Sequence, residues 1–219
     1  MSVIKRSGLY GEYYGSTYDS SSPLTQEQME VNARYIYGYL SDEGFTVNAI
    51  AGILGNLQRE STLNPGRWQN DDVGNTSLGY GLVQWTPATN YIEWANNLGP
   101  NTDPSEMDNN IGRMMYERRN GLQYIPTSSY PETFDEFAQS TKSPEYLTTA
   151  FLKNYERAGD EALQERIDNA NYWYSFLTGT EPPEGGDGGD TGDDTGGSVS
   201  GKRKRFNFVL FNRRRSIYG

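Results

Sequence analysis

The chain has no histidine and no cysteine among its 219 residues. Ser-His-Asp and Cys-His nucleophile systems are therefore excluded, and so are His-ligated and Cys-ligated zinc sites. No metal or organic cofactor is implied. Disulfides do not hold the fold together, because there are none to form. Long apolar runs are missing as well: mean hydropathy is -0.80, and no stretch has the roughly 20 apolar residues a membrane-spanning helix needs. The first ten residues carry Lys5 and Arg6 but no apolar core, so they do not read as a secretory signal. Positive charge is scarce overall. A formal net charge of -10 argues against nucleic acid as the main partner. For hydrolysis this alphabet leaves paired carboxylates, with the rarer Ser-Lys and N-terminal Thr arrangements behind them. Glycosidic bonds are the commonest substrate of carboxylate pairs.

What is present begins with a misplaced acid. Residues 46 to 61 read as a helix whose apolar stripe is Ile50, Ile53, Leu54 and Leu57. Glu60 lies three residues past Leu57 and seven past Ile53, so it continues the stripe. A carboxyl there loses water and sits at the negative end of the helix dipole. Both effects favour its protonated form, the form a general acid needs. The rival reading is an ordinary surface charge or a core-edge ion pair.

The rest of the pattern predicts a mainly α domain over residues 24–179, framed by an N-terminal arm (1–23), an acidic Gly-rich linker (180–201) and a basic, aromatic tail (202–219). The arm is rich in Ser, Gly and Tyr without periodicity and is expected to be flexible. Thr25 to Gln28 form a capping box opening a helix to about Leu40. Residues 67–86, rich in Gly, Asn and Asp, predict a loop or small hairpin. Further helices are expected after Pro87, after Asp103-Pro104-Ser105-Glu106, from Ser143-Pro144-Glu145 to about Tyr155, and over about Glu161 to Leu177. The linker cannot pack and is expected to be disordered. The tail carries seven basic residues, Lys202 to Arg205 and Arg213 to Arg215, around an apolar hexad. It suits an anionic wall or membrane surface, a protein partner that accepts an added strand, or no partner at all.

Two strings carry a resemblance. Leu54-Gly55-Asn56-Leu57-Gln58-Arg59-Glu60-Ser61-Thr62-Leu63-Asn64-Pro65-Gly66 is followed by Trp68-Gln69-Asn70, and then by Gly74 to Ala88 with Gly81-Leu82-Val83-Gln84-Trp85 inside it. A helix ending in Glu-Ser with a later Gly-Leu-x-Gln resembles goose-type lysozymes and lytic transglycosylases. Taken whole, the strings resemble the phage tail lysozyme family, from about residue 24 to 178. Tyr155-Glu156-Arg157 and Tyr172-Trp173-Tyr174 lie within that span. The resemblance implies a lysozyme-like helical fold with a small hairpin or loop wall. It implies cleavage of peptidoglycan between N-acetylmuramic acid and N-acetylglucosamine, in a virion tail or a phage-encoded protein acting on the host wall, with phage tail proteins as further partners. Glu60 falls on the family's catalytic glutamate. Relatives often show Glu-Arg-Pro where this chain has Glu156-Arg157-Ala158. Some carry a second, zinc peptidase domain, for which a chain without His lacks ligands.

The remaining site residues are expectations with rival readings. Asp71 and Asp72 follow Glu60 by eleven and twelve positions in a loop that would face it. Asp72 is the expected second catalytic group, against an Asx-turn role. Asn75, Ser77 and Gln84 suit sugar hydroxyls and acetamides, or else satisfy loop backbone. Trp68, Tyr80 and Trp85 either stack on sugar faces or belong to the core. Ser61 and Tyr155 complete the expected substrate-binding set with Glu156, which is either a second acid lining the cleft or half of a structural ion pair with Arg157.

Overall fold

The computed structural model describes residues 2–157 and 162–182. The acidic linker from Pro183 on, the basic tail and Ala158 lie outside the described residues. Within them the fold is mainly helical, and no helix is long and apolar enough to cross a membrane.

Residues 2–23 are not a loose arm. Strands β1 (Val3–Gly8) and β2 (Gly11–Ser16) pair antiparallel, from Val3 opposite Ser16 to Gly8 opposite Gly11. Tyr13 is buried from β2, its ring edge-on to Tyr35 at 5.2 Å. The free edge of β2 is closed by two buried asparagines. Asn32 accepts from the Tyr14 amide at 2.7 Å and donates back to the Tyr14 carbonyl at 2.7 Å. Asn64 accepts from the Ser16 amide at 2.9 Å and donates to the Ser16 hydroxyl. The segment is ordered by amides remote in sequence, which no local pattern discloses.

Seven α-helices follow among the described residues. α1 (Gln26–Asp42) starts at the Thr25 capping box, and α2 (Val47–Ser61) starts at Thr46, whose hydroxyl accepts from the Ala49 amide. Then come α3 (Thr89–Asn96), α4 (Met107–Arg119), α5 (Phe134–Ala138), α6 (Pro144–Phe151) and α7 (Leu163–Thr178). The short α5 has its own capping box at Thr133 and Glu136 and was not expected. α6 widens into a π-helical turn over Leu152–Glu156.

α2 is the central helix. Every residue from Asn48 to Leu57 is buried, as expected of a helix packed on all sides. Two glycines permit that packing. A methyl group on Gly52 would lie 3.0 Å from the Leu147 carbonyl carbon of α6, and one on Gly55 would lie 2.4 Å from the Arg166 carbonyl oxygen of α7. The end of α2 is thereby pressed onto α7 just before Glu60. Residues 67–86 form a loop wall held by isolated bridges of Tyr80 to Trp68 and to Trp85, with Trp85 stacked on Tyr91 of α3 at 4.5 Å.

Candidate active site

A cavity of about 930 Å³ opens where the C-terminal end of α2, the loop wall, α4 and the end of the π-helical turn converge. Glu60, Glu117 and Glu156 line it, with Arg59, Arg67, Arg113 and Arg157. Arg59 and Arg67 are themselves paired with acids beside the lining, Glu165 and Asp71.

Glu60 reaches the cavity from the last turn of α2, and its side chain is 21% exposed. Its Oε1 accepts from Nη2 of Arg166 at 2.5 Å. Arg166, on α7, is 7% exposed and donates through Nη1 to Oδ1 of Asn56 at 3.1 Å. Asn56 is fixed in turn by donating to the carbonyls of Gly52 and Thr148. Glu60 is thus held from behind by a chain of buried polar groups. The other Glu60 oxygen has no hydrogen-bond partner among the described residues.

Glu117 is a different kind of acid. It is almost fully buried, and its Oε1 accepts from Nε of Arg113 at 2.8 Å and from Nε1 of Trp85 at 3.0 Å. Its Oε2 accepts from the Tyr155 hydroxyl. Burial, then the Glu117 charge, push the Tyr155 hydroxyl well above its ordinary range, so it stays a donor. With all these partners, Glu117 braces Trp85 and Tyr155 and ties the loop wall to α4.

Glu156 has an Oε1 that is fully covered and has no hydrogen-bond partner. Burial pushes its carboxyl well above the usual range; the charges of Glu60 and Glu117 push the same way, while Arg166 opposes them. It does not pair with Arg157, whose guanidinium donates to Gln123 instead. The expected Glu156–Arg157 ion pair is absent among the described residues.

The expected site residues divide. Glu60, Ser61, Gln84, Trp85 and Glu156 line the cavity. The Ser61 hydroxyl turns back to the Leu57 carbonyl, and the Gln84 amide nitrogen is taken by the carbonyls of Arg67 and Gly81. Asp72 does not join Glu60. It is exposed outside the cavity lining and accepts from the Asn75 side chain at 2.8 Å, an Asx-type loop closure. Asn75 in turn accepts from Ser77, so both serve the loop. Trp68, Tyr80 and Tyr155 have no exposed surface to offer a sugar. Trp68 donates from Nε1 to the Tyr18 carbonyl, and Tyr80 packs on it at 4.4 Å.

Arg166, Asn56, Arg113 and Glu117 were not foreseen. Arg166 carried the same signal as Glu60, a charge on an apolar stripe: it is spaced with Ala170, Trp173 and Leu177 of α7. Glu117 stands four residues after Arg113 on α4, a spacing that places the two side chains together.

The phage tail lysozyme family matches this chain over residues 31–177, a span that includes Glu60, Glu117, Glu156 and Arg166. The chain is also similar to morphogenesis protein 1 of Bacillus phage B103. The two are 49% identical over 162 residues, covering 74% of this chain and 43% of that protein. The chain therefore spans less than half the length of this curated relative.

Proposed function

Because the chain belongs to the phage tail lysozyme family, we propose that it cleaves peptidoglycan glycan strands at the β-1,4 bond between N-acetylmuramic acid and N-acetylglucosamine, in a phage virion acting on the host wall. The observation that carries this reading is a half-buried carboxylate, Glu60, braced by Arg166 at the edge of a large cleft in a chain without His or Cys. Glu60 passes a proton to the leaving oxygen as positive charge develops at the anomeric carbon. Water then adds to the anomeric centre and restores the proton. Asp72 has no part in this scheme.

Digestion of purified walls with mass spectrometry of the fragments tests it. Reducing muramic acid ends are expected. Ends in 1,6-anhydro form mean that the muramic 6-hydroxyl attacked in place of water, and the enzyme is a lytic transglycosylase. The relative's name, a morphogenesis protein, favours a second reading, in which the domain grips glycan during virion assembly without cutting it. Intact walls after incubation with wild-type protein would favour that reading.

A further inference from the structure

Glu156 is the carboxyl of the cleft that the scheme above leaves idle. It ends the π-helical turn, and the following residue, Arg157, has φ +53°. That reversal turns Arg157 away to Gln123, so the adjacent cation does not neutralise Glu156. The charged groups facing it come from three other elements: Glu60 from α2, Arg166 from α7 and Glu117 from α4. Arg166 is taken by Glu60, and Glu117 by Arg113. Two cations and two anions already balance, and a third anion would be unmatched, with its covered Oε1 lacking any hydrogen bond. The buried Nε of Arg166 also lacks a hydrogen-bond partner, so the guanidinium retains a donor that an ionised neighbour would draw toward itself.

We propose that in the substrate-free cleft, where Arg166 is paired with Glu60, Glu156 stays an uncharged carboxylic acid and acts as a positioning residue, leaving Arg166 to Glu60 alone. The inference rests on the reading of Glu60 as the proton donor. When Glu156 loses its proton at higher pH, it competes for Arg166 and repels Glu60, and the cleft loses the geometry on which cleavage depends. Burial and the neighbouring carboxylates hold its proton in place well above the ordinary carboxyl range.

Glu156→Gln, made in the full chain, mimics the protonated acid in shape and charge. Two measurements follow. The first is thermal unfolding against pH, which needs no activity. A carboxyl protonated in the fold and ionised when unfolded binds more protons in the native state. Wild-type stability then falls as pH rises above about 4.3 toward the raised native value. The variant has no such slope, so its Tm relative to wild type should climb by several degrees between about pH 4.3 and neutrality. A constant difference, or one that turns against the variant with rising pH, overturns the proposal. The second is wall clearing against pH. Activity within a few-fold of wild type is expected, with the alkaline limb moved up by at least about one pH unit. An unchanged limb overturns the proposal, and so does complete loss of activity in a folded variant, which would make Glu156 itself the donor. If wild type clears no wall, the proposed function fails, and the unfolding series still decides the charge of Glu156. If the variant does not fold, carbon-13 titration of the wild-type glutamate carboxyls replaces it. One carboxyl is expected to titrate well above the other glutamates, and a full set titrating together in the ordinary carboxyl range overturns the proposal.

Discussion

Glu60→Gln is expected to lower the rate of wall clearing by at least about 100-fold, the usual contribution of a positioned proton donor. The amide occupies the same space, and its oxygen can still accept from Nη2 of Arg166, so the brace behind it survives. What the amide cannot do is give a proton to a glycosidic oxygen. The fold should change little, because the Glu60 side chain is a fifth exposed and belongs to the rim rather than the core. Circular dichroism and binding to insoluble wall should therefore match wild type while turbidity stays flat. Clearing at an unreduced rate by the variant would end the reading of Glu60 as the acid.

The largest expected loss of stability comes from adding a single methyl group. Gly55→Ala places a carbon 2.4 Å from the Arg166 carbonyl oxygen, 2.8 Å from Cβ of Ala170 and 2.9 Å from its amide nitrogen. None of these is the end of a flexible side chain, so relief requires α7 to move as a body. Overpacking of this kind costs about 1–3 kcal/mol, sometimes more. The gain in helix propensity on replacing glycine, about 1 kcal/mol, offsets only part of it. A net loss of about 2 kcal/mol is expected, read as a lower denaturant midpoint at constant slope. Because Arg166 rides on the displaced helix, activity should fall too. Gly52→Ala, whose nearest contacts are at 3.0 Å, should cost less. Equal stability of Gly55→Ala and wild type would contradict the close approach of α2 and α7.

Much of this architecture was legible in residue order. The capping box at Thr25, the cap at Asp103 to Glu106 and the apolar stripe of α2 were legible because such signals are local. Glu60 was legible for the same reason: a charge at a stripe position is visible without a partner. The hairpin was not, since Asn32 and Asn64 complete it from 18 and 48 residues away. Sequence proximity misled at Asp72. It follows Glu60 by only twelve positions, yet a short polar side chain in a Gly-rich loop closed on its own neighbour, Asn75, instead of facing the helix end. The aromatic residues Trp68 and Tyr80 misled differently: a loop of this length has an inside, and they fill it. Glu156 stood open between two roles, and no sequence pattern reveals that one oxygen of a carboxyl is covered and left without a donor.

The asparagine clasps on β2 have a practical side. Asn64 and Gly66 belong to the turn that follows Glu60 and Ser61, and the Ser16 carbonyl oxygen lies 2.3 Å from where a side-chain carbon on Gly66 would sit. The first sixteen residues therefore act as a splint on the segment leaving the acid. Trimming the protein at the start of α1, where the helical pattern begins, would remove Tyr14 and Ser16 and leave the Asn32 and Asn64 amides only their contacts to Leu63 and Gly66. It would also free the backbone just beyond Glu60, so a minimal fragment that keeps the cleft should be cut ahead of Val3, not at Leu24.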